Sequence, residues 1–240
     1  MFRVIAFDWG NTLTRSYHAA KLLEGGWRAK LLRQAGFRVP AGFARAFDEE
    51  RRRHEARSWG SYKRFDWYEP YKRAFGRCGA PFSDKKWRRF TRLFLLFMAR
   101  KGRLFPGVRG LLASLKKKGY LLVLVSNAKR DVLRAEMRRP GISQYFRFLI
   151  VSETERAEKS HLKPFRTLLR LVNKDRRRKI QPHEILMVGD RADEDTYAGK
   201  MGMKTVLLTH GLSHEPGICE KADWEIDDIR ELPALLKRID

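Results

Sequence analysis

Residues 2–13 read FRVIAF followed by Asp8, Trp9, Gly10, Asn11, Thr12 and Leu13. A short apolar run closed by an acid is how the central strand of a parallel sheet reads, because both of its faces are buried and polar alternation is lost. Comparable runs recur at 121–125 (LLVLV), 146–151 (FRFLIV), 185–189 (ILMVG) and 204–208 (KTVLL). Between them, 107–118, 129–139, 164–173 and 194–201 carry helical spacing. ADWEI near 224 and ELPALLKRI at 231–239 add an edge strand and a closing helix. Strands alternating with helices predict an α/β fold with a Rossmann-like parallel sheet.

The alternation breaks between about residues 15 and 102, which are rich in Arg, aromatics and helix formers. Four helices are predicted there, over 18–35, 41–57, 61–77 and 84–100, separated by Gly36–Pro40, Ser58–Gly60 and Gly79–Ser83. Trp87, Phe90, Phe94 and Phe97 repeat at three-to-four spacing and mark one buried face. The expected organisation is an α/β core of residues 1–15 and 103–240, interrupted after its first strand by a helical cap of residues 16–102.

At 240 residues and 43% hydrophobic content the chain can bury a sizeable core. It has no apolar run near the roughly 18 residues of a membrane helix, and its N-terminus reads as a strand rather than a signal peptide. Cys78 and Cys219 lack CxxC spacing, so they read as unpaired thiols and the expected location is the cytoplasm. Fifty-two Lys and Arg against 28 Asp and Glu give a net charge of +24. Residues 14–103 hold 24 of those bases and 8 of those acids, so +16 of the excess falls on the insertion. Such a field captures anionic substrates, and it raises nucleic acid as a possible partner. The stretch RSWGSYKRFDWYEPYKRAF (57–75) interleaves aromatics with bases, which suits either base stacking or an amphipathic helix with a solvated basic face.

Four sites fall at predicted strand ends, where ligands bind in open α/β sheets. They are Asp8, Ser126 with Asn127 in VLVSNA, Lys163 in HLKP, and Asp190 with Asp195 in VGDRADED. Singly, each has an ordinary explanation: a turn-forming Asp, a helix-capping Ser-Asn pair, a loop lysine with Lys159 as competitor, and an acidic helix start. Together they do not, because three carboxylates aimed at one sheet edge repel one another unless a cation sits among them.

In order and spacing these residues resemble the four motifs of the haloacid dehalogenase superfamily, and the insertion resembles its first-type helical cap. The resemblance implies a hydrolase of a phosphorylated small molecule. Asp8 would be the nucleophile and Lys163 would stabilise the transferring group. Thr12, Ser126 and Asn127 would bind substrate. Mg²⁺ would be held by Asp8, Asp190, Asp195 and the carbonyl of Gly10. One position departs from the family's Asp-x-Asp-Gly-Thr pattern: the second Asp, its general acid and base, is Gly10 here. A glycine still offers a carbonyl to a metal, but it donates no proton, so leaving groups that depart easily as anions are expected to suffer least. Two relatives bracket this reading. Haloacid dehalogenases proper need no metal and lack the acid pair. Phosphonoacetaldehyde hydrolases carry a Trp after the nucleophile and need a cap lysine, for which Lys21, Lys30, Lys63 and Lys72 are candidates. A nucleic-acid-binding protein with a reduced site is the alternative from another class. The six histidines show no metal-ligand spacing.

Overall fold

In a parallel strand, successive side chains bury on opposite faces. Val4 and Ala6 therefore face one layer, and Ile5 and Phe7 the other. The structure, a computed structural model, describes residues 1–15, 26–59, 61–63, 66–101, 103–138, 141–174, 177–210 and 221–240. Its sheet consists of β1 (Val4–Phe7), β2 (Leu121–Ser126), β3 (Phe148–Val151), β4 (Ile185–Gly189), β5 (Lys204–Leu208) and β6 (Trp224–Ile226). The order is β3-β2-β1-β4-β5-β6, and all pairs are parallel. The expected α/β fold is present. Because β1 lies between β2 and β4, the chain turns to opposite sides at its carboxyl end, which is where a parallel sheet opens a crevice.

Between β1 and β2 the described residues form α1 (Arg28–Gln34), α2 (Phe43–Arg57), α3 (Tyr68–Arg77), α4 (Asp84–Lys101) and α5 (Val108–Lys117). After β2 come α6 (Arg130–Arg138), the single turn α7 (Ser152–Glu155), α8 (Lys163–Asn173) and finally α9 (Leu232–Ile239). One face of the sheet is covered by Leu112 and Leu115 of α5, Leu133 of α6 and Leu235 of α9. The other is covered by Phe165, Leu168 and Val172 of α8. Helices α1–α4 bury an apolar cluster of their own, built on Leu32, Phe47, Phe75 and Phe90.

Three predicted elements differ from what forms. The segment 194–201 is a 3-10 turn (Thr196–Met201) rather than an α-helix. Its start is held as a turn by Asp195, and Gly202 ends it in the left-handed region at φ 77°. The helix expected from 61 begins at Tyr68, with Asp66 Oδ1 accepting from the Tyr68 N–H at 3.4 Å just before it. The helix expected over 18–35 is described from Arg28; its beginning, with Lys21, lies outside the described residues. In 57–75 the aromatic side of α3 is buried through Tyr71 and Phe75, while Lys72 and Arg73 face solvent. This helix is amphipathic with an exposed basic face; Gly60, Arg64 and Phe65 of the same stretch lie outside the described residues. No helix among the described residues is long and apolar enough to cross a membrane.

Candidate active site

Asp8 follows β1 directly, and its backbone N–H still bonds to the Val188 carbonyl at 2.9 Å. The side chain therefore leaves the sheet at its carboxyl edge. The turn after it closes through Leu13 N–H and Thr14 N–H to the Trp9 carbonyl, at 3.1 Å each. Asn11 takes φ 55° in this turn, a left-handed conformation that Asn tolerates better than most residues. This accounts for one of the three asparagines in the chain.

Asp8, Asp190 and Asp195 each offer a carboxylate oxygen within 4.8 Å of the others. Two of the three are buried and Asp190 is half-buried. Asp195 reaches this position because Gly189 has no side chain: a Cβ there would stand 2.1 Å from the Asp195 carboxyl. Its Oδ2 accepts from the Arg191 N–H at 3.0 Å.

The cation among the carboxylates is Lys159, not Lys163. Lys159 Nζ donates to Asp8 Oδ1 at 2.7 Å and to Asp195 Oδ1, and lies 4.0 Å from Glu194. Its side chain is 1% exposed. Lys163 instead opens α8 with its side chain in solvent. The physical reason is the turn at Lys159–His161 and Leu162 (φ 60°), which reverses the chain before the helix begins. The reversal turns Lys159 inward and leaves Lys163 outside.

Thr12 also differs from its expected role. Fully buried, it donates through Oγ1 to Asp190 Oδ1 at 3.1 Å, so it fixes a carboxylate and does not face the cavity. Asn127 lines the cavity, but its amide is committed: Nδ2 donates to Glu194 at 2.7 Å and Oδ1 accepts from the Lys159 N–H at 3.1 Å. Ser126 lines the cavity beside Asp8, Gly10 and Asn11, and its Oγ accepts from the Ala128 N–H at 3.2 Å.

The charges explain one another. Burial first, and then Asp190 and Glu194, push the Asp8 carboxyl above its usual range despite Lys159. Burial and Asp195 push Asp190 up to about 7. Asp195 is also raised, by burial and by Asp8. Burial disfavours the Lys159 ammonium, yet Asp195, Asp8 and Glu194 outweigh it and hold the lysine firmly charged. One ammonium thus faces four acids, and the surplus of hard oxygen donors suits a divalent cation such as Mg²⁺.

Two site residues escaped the sequence reading. Glu194 holds Asn127. Glu136, on the inner face of α6 between Leu133 and Met137, lines the cavity and accepts from Trp9 Nε1 at 2.5 Å. Burial raises its carboxyl to about 7, against the lowering effect of the Trp9 bond. A Glu within an apolar helical stripe was the available signal.

Above these groups is a cavity of about 490 Å³. Asp8, Ser126 and Asp190 form its floor; Trp67, Tyr71 and one side of α4 form its roof. Lys129, at the start of α6, bonds Asp66 at 3.1 Å and ties floor to roof.

Residues 2–202 match the family described as haloacid dehalogenase-like hydrolase. The chain is 32% identical over 136 residues to a glyceraldehyde 3-phosphate phosphatase of Pyrococcus furiosus, covering 55% of this chain and 54% of that protein. It is 30% identical over 135 residues to a phosphoglycolate phosphatase of Pasteurella multocida, covering 56% and 58%. The chain thus matches about half the length of these curated relatives. Among solved structures, a haloacid dehalogenase-type phosphatase from Thermococcus onnurineus superimposes with a TM-score of 0.70 at 22% identity, over 98% of both chains. A 2-haloacid dehalogenase from Pseudomonas syringae gives 0.73 at 23% identity, over the full length of both. At these identities the likeness is one of fold.

Proposed function

The chain belongs to the haloacid dehalogenase-like hydrolase family, and on that premise we propose that it hydrolyses a phosphate monoester through an aspartyl-phosphate on Asp8. The observation that carries the reading is the buried group Asp8, Asp190 and Asp195 around Lys159 at the carboxyl edge of the sheet. A metal-free dehalogenase has no use for this surplus of carboxylates. The phosphatases among the relatives support the same class of substrate.

In this mechanism an oxygen of the Asp8 carboxylate attacks phosphorus, and the ester P–O bond breaks with its electron pair going to the leaving oxygen, which takes its proton from water. Water then attacks the acyl phosphate, releasing inorganic phosphate and restoring Asp8. Lys159 holds Asp8 in place and adds positive charge where negative charge gathers. Ser126 Oγ donates to a phosphoryl oxygen. Asp195 orients Lys159, and Thr12 orients Asp190. Asp8, Asp190 and the Gly10 carbonyl would hold Mg²⁺, with Asp195 behind them; when bound, the ion would screen the nucleophile from the phosphoryl charge. Residues 1–15 and 103–240 act as the catalytic core and residues 16–102 as the cap that selects the substrate, in a cytoplasmic enzyme.

The test is hydrolysis of phenyl phosphate with Mg²⁺. Turnover is expected to vanish with chelator and return with Mg²⁺, and Asp8→Asn is expected to retain less than about a thousandth of it while staying folded. Full activity in excess chelator, or in the Asp8→Asn protein, would overturn the proposal.

A further inference from the structure

The cavity holds far more than a phosphoryl group. Its volume of about 490 Å³ lies in the range of pockets that take whole drug-sized molecules. On α4 the lining residues Trp87, Phe90, Phe94, Leu95 and Met98 form one helical stripe, and Trp67 continues it. Phe90 and Met98 also belong to the buried cluster of the helices, so this wall is braced from behind. Among the described lining residues, the basic side chains are Lys129 and Arg191. Lys129 is paired with Asp66 at 3.1 Å, and Arg191 Nε with Asp193 at 2.8 Å. Acids line the same space: Asp131, Glu136 and Glu153. A second anionic group on a substrate would therefore meet carboxylates and aromatic carbon, with no unpaired cation among the described lining residues.

We infer that the substrate is the phosphate ester of a bulky, uncharged apolar or aromatic alcohol, whose organic part lies against the α4 stripe. The inference rests on the phosphatase reading above and sharpens it. It sets this chain apart from relatives named for phosphoglycolate and glyceraldehyde 3-phosphate, which are small and polar. Burial of apolar carbon against such a wall favours binding by roughly fourfold per methylene.

The test separates recognition from leaving-group chemistry. Phenyl phosphate, 4-butylphenyl phosphate and 4-(2-carboxyethyl)phenyl phosphate release phenols of nearly equal acidity, so differences in kcat/KM report the tail. The butyl ester is expected to exceed phenyl phosphate by about tenfold or more, and the carboxyethyl ester to fall below it. Leu95→Arg places a cation in the apolar wall and is expected to close most of the gap between the two tails. If that variant does not fold, Thr91→Arg, on an exposed position of the same stripe, carries the same test. Mg²⁺-dependent turnover with equal rates for all three, or with the carboxyethyl ester ahead, would overturn the inference and leave the phosphatase reading standing. No Mg²⁺-dependent turnover of any of them would overturn both.

Discussion

The floor and the roof of the cavity are built on different principles. On the floor every functional side chain is held by named partners: Asp8 by Lys159, Asp190 by Thr12, Asn127 by Glu194 and a backbone N–H. On the roof the described lining residues pack mainly ring against ring, as in Tyr71 with Trp87 at 5.0 Å and Trp87 with Phe90 at 5.2 Å. Hydrogen-bonded charges tolerate almost no exchange of residue type, because removing one partner strands the other. Apolar packing tolerates exchange as long as volume is kept. Under the proposed function, the chemistry is therefore written in fixed letters, and the selectivity in a composition.

Removing the ammonium from the floor should give the largest effect. Lys159→Met leaves Asp8, Asp195 and Glu194 without their cation. Turnover should fall by roughly 10²–10³, and stability by about 3–5 kcal/mol, the scale for breaking a buried ion pair. Lys163→Met should leave both within experimental scatter, as an exposed side chain does. Steady-state kinetics and urea unfolding on the two variants make the comparison. Equal effects would mean that the inward lysine carries no special load.

Next in size is the missing acid. With Gly10 at its position, aryl phosphates should outrun simple alkyl phosphates by roughly 10²–10⁴, the value of general acid help. Gly10→Asp should narrow that spread by raising the alkyl rates most. A flat wild-type series, with chemistry limiting, would point to a proton donor elsewhere on the floor or in the roof.

A smaller effect belongs to the boundary between the two regions, where Glu136 meets Trp9. Its folded pKa, about 7, is above the ordinary 4.5 because burial favours the neutral acid. The stability it contributes is therefore complete below pH 4.5 and is lost as pH rises through 7. Glu136→Gln keeps an acceptor for Trp9 and does not ionise. Urea unfolding should show the variant gaining on the wild type between pH 5 and 8, by up to about 3 kcal/mol. A constant difference across that range would place the charged form of Glu136 in contact with solvent.

The contrast between floor and roof also decides what could be read from the sequence. The strands were legible because both-face burial leaves uninterrupted apolar runs, and Asp8, Ser126 and Asp190 were legible because they stand directly at strand ends. The choice between Lys159 and Lys163 was not, since it depends on a reversal at Leu162 that no local signal announces. The substrate role of Thr12 follows from the family resemblance alone; the β4 loop brings Asp190 close enough to take its hydroxyl. On α4, Trp87 and Phe94 were read with Phe90 and Phe97 as one buried face. Phe90 and Phe97 are buried in the helical cluster; Trp87 and Phe94 are half-buried against it and, with Phe90, line the cavity. Helical spacing shows which residues share a side and leaves open what that side meets.

The passage into and out of the helical segment is narrow. Arg15 N–H bonds the Arg103 carbonyl at 2.8 Å, Phe105 N–H bonds the Leu13 carbonyl at 3.0 Å, and Thr14 bridges Leu104. Two strands of chain, nearly ninety residues apart in sequence, thus lie side by side at one point on the rim. A loop whose ends are already joined costs its host little when its contents are exchanged, since closure entropy grows only slowly with length. The pair 13–15 and 103–105 therefore forms a socket: on the proposed reading, a different insert between the same two hydrogen-bonded ends would carry a different preference over the same floor.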